Sequence, residues 1–153
     1  MIYIGSDHAG FEVKEAVKDY LASIGMLYKD MGPYEFIKED DYPLFAFDVA
    51  EAAAKEAFSL GILICSSGVG MTIAANKVKG ARAACIQSVE AARLAKEHNN
   101  CNVLVLDKLT FNEKIDFEII KTFIFTGFSQ EERHIRRLKQ ISDYENPPSN
   151  PSN

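Results

Sequence analysis

Short apolar runs alternate along the chain with longer stretches in which apolar residues recur every third or fourth position. Residues 2–5, 27–31, 61–65, 82–86 and 103–106 have the length and continuous apolar character of strands buried on both faces. Between the first two, Val13, Ala16, Val17, Tyr20, Leu21 and Ile24 fall on one face of a helix, and Gly25 stops it. Residues 44–56, 69–78 and 89–98 are expected as further helices, the last capped by Ser88. Beyond the fifth strand, Asn112 caps a helix rich in Ile and Phe that ends at Gly127. Ser129 and Glu132 have the spacing of a capping box for a last helix running to about residue 143.

Continuous apolar strands separated by helices predict a parallel sheet covered on both faces. The expected architecture is a three-layer α/β/α doubly wound (Rossmann-like) domain with five parallel strands and a C-terminal helical extension. It occupies residues 1–143, and 144–153, ending in NPPSNPSN, reads as a disordered tail. Folds of this class hold ligands at the carboxyl ends of their strands.

Composition narrows the function. A net charge of −5 on 153 residues argues against nucleic acid as the main partner. No apolar run reaches membrane-span length, and the opening MIYIGSD reads as a strand rather than a signal peptide. Three cysteines without a Cys-x-x-Cys pair are expected to be reduced thiols in a cytoplasmic protein, and three scattered histidines disfavour a structural zinc site.

Polar clusters fall where the strands end. Ser6-Asp7-His8-Ala9-Gly10 follows the first strand, and Cys65-Ser66-Ser67-Gly68-Val69-Gly70 follows the third. The glycines permit a tight turn, and the N–H groups opening the next helix suit an anion or a developing oxyanion. The same field is expected to lower the thiol pKa, making Cys65 a thiolate nucleophile or general base, with Ser67 bonding a substrate oxygen or relaying a proton. The alternative is a buried cysteine ending a core strand beside a structural turn. Gly68-Val69-Gly70 lacks the third glycine of a dinucleotide fingerprint, which disfavours that reading.

His98 closes the apolar stripe of its helix and is either a satisfied core histidine or an acid favoured by the helix C-terminus. Arg133 and Arg137, four apart, form either a phosphate clamp or a solvated face balanced by Glu131 and Glu132. Cys85 and Cys101 read as structural.

Six segments, taken in order, resemble the B-type ribose-5-phosphate isomerases and the related galactose-6-phosphate isomerase subunits. They are SDHAGF at 6–11, DYP at 41–43, GILICSSGVG at 61–70, AANK at 74–77, HNNCNVL at 98–104 and RHIRR at 133–137. The resemblance implies a metal-free, cofactor-free aldose–ketose isomerase working through an enediolate. Cys65 then matches the base between C1 and C2, Ser67 the hydroxyl that assists proton handling, and His98 the ring-opening histidine. Asp7, His8, Tyr42 and Asn99 match positions that contact sugar or phosphate. The backbone of Ser66, Gly68, Val69 and Gly70 matches an anion hole, and Arg133, His134 and Arg137 match the phosphate end. It further implies a homodimer, or a dimer of dimers, in which the histidine of one subunit faces the cysteine of the other.

Two departures from the family stand out. Ser66 replaces a glycine, and Asp107-Lys108-Leu109 replaces a triplet whose arginine helps hold phosphate, leaving Lys108 as the nearest cation. The leading expectation is interconversion of ribose 5-phosphate and ribulose 5-phosphate. The alternatives are the same chemistry on a six-carbon aldose phosphate (allose or galactose 6-phosphate), a non-catalytic sugar-phosphate-binding module, and, last, a flavodoxin-like redox sensor.

Overall fold

The computed structural model describes residues 1–147. Five strands, β1 (Ile2–Ser6), β2 (Tyr28–Asp30), β3 (Leu60–Cys65), β4 (Ala83–Cys85) and β5 (Val103–Asp107), form one parallel sheet in the order β2-β1-β3-β5-β4. The helices are α1 (Phe11–Ser23), α2 (Tyr42–Lys55), α3 (Val69–Ala75), α4 (Val89–Asn99), α5 (Glu113–Phe125) and α6 (Glu132–Glu145). This is the expected doubly wound α/β fold.

Alternation along the strands divides the core into two layers. Ile2, Ile4, Ile62, Ile64, Leu104 and Leu106 meet Val13, Val17 and Leu21 of α1, Ala92 and Ala95 of α4, and Ile119, Ile120 and Phe123 of α5. Tyr3, Leu63, Cys65, Val103 and Val105 face the other way, onto Ala46, Val49, Ala50 and Ala53 of α2 and Met71, Ala74 and Ala75 of α3. Small residues dominate the second layer, so α2 and α3 lie close against the sheet beside Cys65.

Several element ends differ from the expectation. The helix after β3 stops at Ala75 rather than 78, because the chain leaves through tight turns at Lys77 and Val78. Ser88 and Asn112 cap α4 and α5 as predicted, accepting from the N–H groups of Ala91 and Ile115. The Ser129–Glu132 capping box does not form: the cap of α6 is Glu131, and the Ser129 hydroxyl is engaged with His134 instead. Helix α6 runs through Glu145, so Tyr144 and Glu145 are helical rather than part of a tail, while residues 148–153 of that tail lie outside the described residues.

A buried ion cluster fixes the loop between β2 and α2. Lys14 is fully buried, and its Nζ donates to Asp30 at 2.9 and 3.0 Å and to the Pro33 carbonyl. Lys18 reaches the same carboxylate at 2.8 Å, as does the Gly32 N–H at 2.9 Å. Burial alone would push the Asp30 carboxyl up, but the bonds from Lys18, Lys14 and Gly32 outweigh it and hold it below the usual range.

A depressed carboxyl pKa contributes stability that is present at neutral pH and lost as pH falls through the folded-state value. Asp30→Ala leaves the Lys14 ammonium buried without its carboxylate and is expected to cost about 3 kcal/mol at pH 7. The gap from wild type should narrow near pH 3, which urea melts at the two pH values measure.

Candidate active site

The strand order reverses direction between β1 and β3, and a doubly wound sheet opens its ligand crevice at the carboxyl ends of such strands. The Asp7 N–H crosses this point to the Ile64 carbonyl at 3.3 Å. Cys65 ends β3 there with 5% of its surface exposed, and its Sγ accepts from the Gly68 N–H at 3.2 Å. The expected direction of its acidity is corrected by the structure. Burial pushes the thiol up, and the Asp7 carboxylate adds to this, while the N–H groups of Met71, Gly68 and Ser67 pull it down without prevailing. A helix of 7 residues supplies too little dipole to overcome that burial within one chain.

The turn after Cys65 closes through Gly68 at φ 74°, where a Cβ would lie 2.4 Å from the Cys85 Sγ. At Gly70 a Cβ would meet the Tyr42 ring at 2.7 Å, so Tyr42, at the start of α2, stands directly on the turn. Ser66 and Ser67 are exposed, and the Ser67 Oγ accepts weakly from the Val69 N–H at 3.4 Å. Ser66 does not adopt positive φ, so the glycine it replaces is not needed for backbone freedom. The loop after β5 braces the turn: the Lys108 and Leu109 N–H groups donate to the carbonyls of Cys65 and Ser66 at 2.9 and 3.2 Å.

Asp7 is buried and accepts from the Gly10 N–H at 2.9 Å; burial raises its carboxyl pKa, with that N–H working the other way. His8 lies beside it, its Nδ1 2.7 Å from Asp40 Oδ1. Lys108 extends toward Glu12 at 4.0 Å.

His98, Asn99, Arg133, His134 and Arg137 do not join this group within one chain. The 11 residues of α4 run antiparallel to the strands and rise about 16 Å, which carries His98 and Asn99 to the amino edge of the sheet. There the His98 ring lies on the His134 ring of α6, centroids 4.3 Å apart and tilted 35°. His134 is buried with Nδ1 2.7 Å from the Ser129 hydroxyl. Burial, then the neighbouring His98, lowers its pKa. Arg133 pairs with Glu131 at 2.8 Å, and Arg137 borders a groove with Asn76 and Gln140.

Sequence reasoning gave no site role to Cys85 or Asp40, and it named Asp107 only as a departure from the family triplet. Cys85, read as structural, is exposed and packs on the Gly68 turn. The buried Asp107 carboxylate, in register with Cys65, accepts from Gln87 at 2.8 Å and from the Thr110 N–H and hydroxyl at 2.8 and 2.7 Å. Asp40 has only its place before DYP to mark it in sequence. Among the described residues no group of three or more His, Cys, Asp and Glu is arranged to hold a metal ion, and no helix is long and apolar enough to cross a membrane.

Comparison with known proteins gives a consistent result. Residues 2–141 match the family Ribose/Galactose Isomerase. Ribose-5-phosphate isomerase B of Mycolicibacterium paratuberculosis is 40% identical over 144 residues, 94% of this chain and 91% of that protein. The crystal structure of ribose-5-phosphate isomerase B from Mycoplasma genitalium with bound ribulose 5-phosphate superposes with a TM-score of 0.89 at 41% identity. It covers 94% of this chain and 95% of that one. The Thermotoga maritima ribose 5-phosphate isomerase structure gives 0.86 at 43% identity, covering 93% and 97%.

Gly68→Ala should show the cost of this packing. Alanine at positive φ is strained by about 1–2 kcal/mol, and its methyl displaces the Cys85 thiol. Thermal melts should place Gly68→Ala well below wild type, with the Gly68→Ala/Cys85→Ala double variant recovering part of the loss. Full additivity of the two changes would show that the contact carries no energy.

Proposed function

The chain belongs to the ribose/galactose isomerase family, and on that premise we propose that it interconverts D-ribose 5-phosphate and D-ribulose 5-phosphate through an enediolate, without a metal or other cofactor. The observation that carries the reading is Cys65 at the reversal point of the sheet, its Sγ facing the N–H of Gly68. In support, the M. genitalium relative was crystallised with ribulose 5-phosphate.

Cys65 as thiolate takes the proton from C2 and returns it to C1. The developing enediolate oxygen is met by backbone N–H groups of the Ser66, Gly68, Val69 and Gly70 turn, each such donor contributing roughly 3–4 kcal/mol to the transition state. Ser67 bonds a sugar oxygen through its hydroxyl, while Asp7, His8 and Tyr42 line the sugar from β1 and α2. A base of this kind adds about 10²–10⁴-fold in rate.

The proposed enzyme is at least a homodimer, with each site shared between two copies. The carboxyl edge of one chain carries Asp7, Asp40 and Asp107 and few cations, so alone it repels a phosphate dianion. The amino edge carries the complement: His98 for ring opening, Asn99 beside it, and Arg133, His134 and Arg137 for phosphate. A positive amino edge from the second copy also lowers the Cys65 thiol toward a useful value, which the single chain does not achieve. Three free thiols accord with a cytoplasmic setting.

Purified protein is expected to turn over ribose 5-phosphate in the presence of a chelator, faster than allose or galactose 6-phosphate. Cys65→Ala should remove turnover, and absence of activity on all three sugars would overturn the assignment. The shared site has its own test. Cys65→Ala and His98→Asn, each inactive alone, should regain activity when unfolded together and refolded, because a mixed dimer holds one intact pair. No recovery, despite dimers of normal size, would mean that each chain works alone.

A further inference from the structure

Beneath the amino ends of β3 and β5, at the edge of the sheet opposite Cys65, lies a cavity of about 640 Å³. It is lined by Leu60, which opens β3, and by Asn102, just before β5, whose carbonyl accepts from the Gly61 N–H at 2.7 Å. Its polar side holds two cations. Arg82 donates through Nε to the Asn100 carbonyl at 2.9 Å and through Nη1 to the Gly80 carbonyl at 3.3 Å. Lys96, 7% exposed, donates to the next carbonyl, that of Cys101, at 3.0 Å, and its Nζ stands 4.9 Å from the centre of the Phe123 ring. These bonds hold the cations without neutralising them, since among the described residues no carboxylate pairs with either. The only acid in the lining, Glu56, is turned to the Ser59 hydroxyl at 3.2 Å and to Tyr3.

Two cations kept together without an anion repel each other, and burying one of them adds a desolvation cost. Burial lowers the Lys96 pKa, and the Arg82 guanidinium adds to this against the opposing Cys101 thiol. The backbone around the cavity carries strain as well. Phe58, Asn100 and Gln130 are the non-glycine residues at positive φ among the described residues, at 63°, 44° and 59°, and all three line this cavity. Asparagine tolerates that conformation, but a phenylalanine there is strained. The Phe58 side chain is also fully exposed, so no packing within the chain offsets the strain. Strain of this kind gathers at ligand clamps, and here it coincides with unpaired charge.

We propose that this cavity binds a small anion carrying a flat apolar group, of the class of aromatic phosphates and carboxylates. Arg82 and Lys96 take the anionic group: the guanidinium has five N–H donors and the ammonium three, more than the carbonyls of Asn100, Gly80 and Cys101 use. An anion seated there stabilises both cations at once. Phe58, Ile124 and Phe128 offer the flat group an apolar wall, and the volume suits one small molecule. No residue of the proposed isomerase site takes part. His98, Asn99, Arg133, His134 and Arg137 are outside the lining, and Cys65 is at the opposite end of β3. The cavity and its cations are there whether or not the carboxyl edge performs isomerisation.

Phenyl phosphate carries both features, while inorganic phosphate and phenol carry one each. Each is titrated into the full-length protein while the backbone amides are followed by NMR. Phenyl phosphate should give saturable shifts at Leu60, Asn100, Asn102 and Gln130, with a Kd about tenfold or more below that of inorganic phosphate at the same amides. Arg137→Ala, which weakens anion binding in the proposed isomerase site, should leave these shifts in place. Arg82→Gln should raise the phenyl phosphate Kd about 10- to 100-fold. Lys96→Met, similar in length and uncharged, should act in the same direction and decides the matter if Arg82→Gln does not fold. Phe58→Gly should weaken binding about three- to tenfold and raise the melting temperature, since glycine removes the left-handed strain. Shifts absent from these amides, or confined to the surroundings of Cys65 and Arg133, overturn the proposal, as does an unchanged Kd in both cation variants. Phenol binding as tightly as phenyl phosphate would leave the cations without a role and overturn it too.

Discussion

Chain direction in a parallel sheet decides what can meet what. Every strand points the same way, every crossover helix returns the opposite way, and a side chain at a helix C-terminus is committed to the edge opposite one at a strand C-terminus. Cys65 and His98 are such a pair. No local adjustment brings them together, since the separation is the length of α4 itself. A chemistry that needs both therefore requires a second copy of the chain, and under the proposed reading the oligomer is a condition of the site.

Electrostatics leads to the same division by a separate route. The carboxyl edge gathers acids on loops fixed by backbone geometry: Asp7 through Gly10, Asp107 through Thr110 and Gln87, Asp40 through His8. These acids organise the turn after Cys65 and also make it a poor place for a thiolate or a phosphate in isolation. The amino edge gathers arginines and two stacked imidazoles around α6. Under the proposed reading, the carboxyl edge of each copy would face the amino edge of the other, so that charges of opposite sign meet in a shared site.

Much of this was legible in the sequence, for identifiable reasons. The strands were visible because both sheet faces are covered, which turns each strand into an uninterrupted apolar run such as Ile62-Leu63-Ile64. Ser88 and Asn112 were visible as caps because their function is local. What failed depended on contacts across the chain. The Ser129–Glu132 spacing fits a capping box, but the Ser129 hydroxyl bonds His134 and the Glu131 N–H, not the N–H of Glu132. Cys85 read as structural because its strand is apolar; only the sheet order, with β4 at the edge, explains its exposure beside the Gly68 turn. The acidity of Cys65 was misread because the helix opening could be counted in the sequence, whereas the depth of burial could not. Asp40 had no local signal, since its partner is on another loop.

The departures from the family are easier to understand once the contacts are known. Ser66 is tolerated because its φ is ordinary and its carbonyl, not its side chain, makes the structural contact, to the Leu109 N–H. Asp107 replaces a residue of the phosphate-holding triplet, and its carboxylate, held by Gln87 and Thr110, adds rigidity to the β5 loop. Leu109 removes a guanidinium from the same chain as Cys65, and Lys108 lies near enough to Glu12 for part of its charge to be spent there. Under the proposed reading, phosphate recognition then falls more heavily on the arginines of the opposite edge. A site so arranged would, under that reading, depend more heavily on a second copy than one with its own arginine beside the thiol.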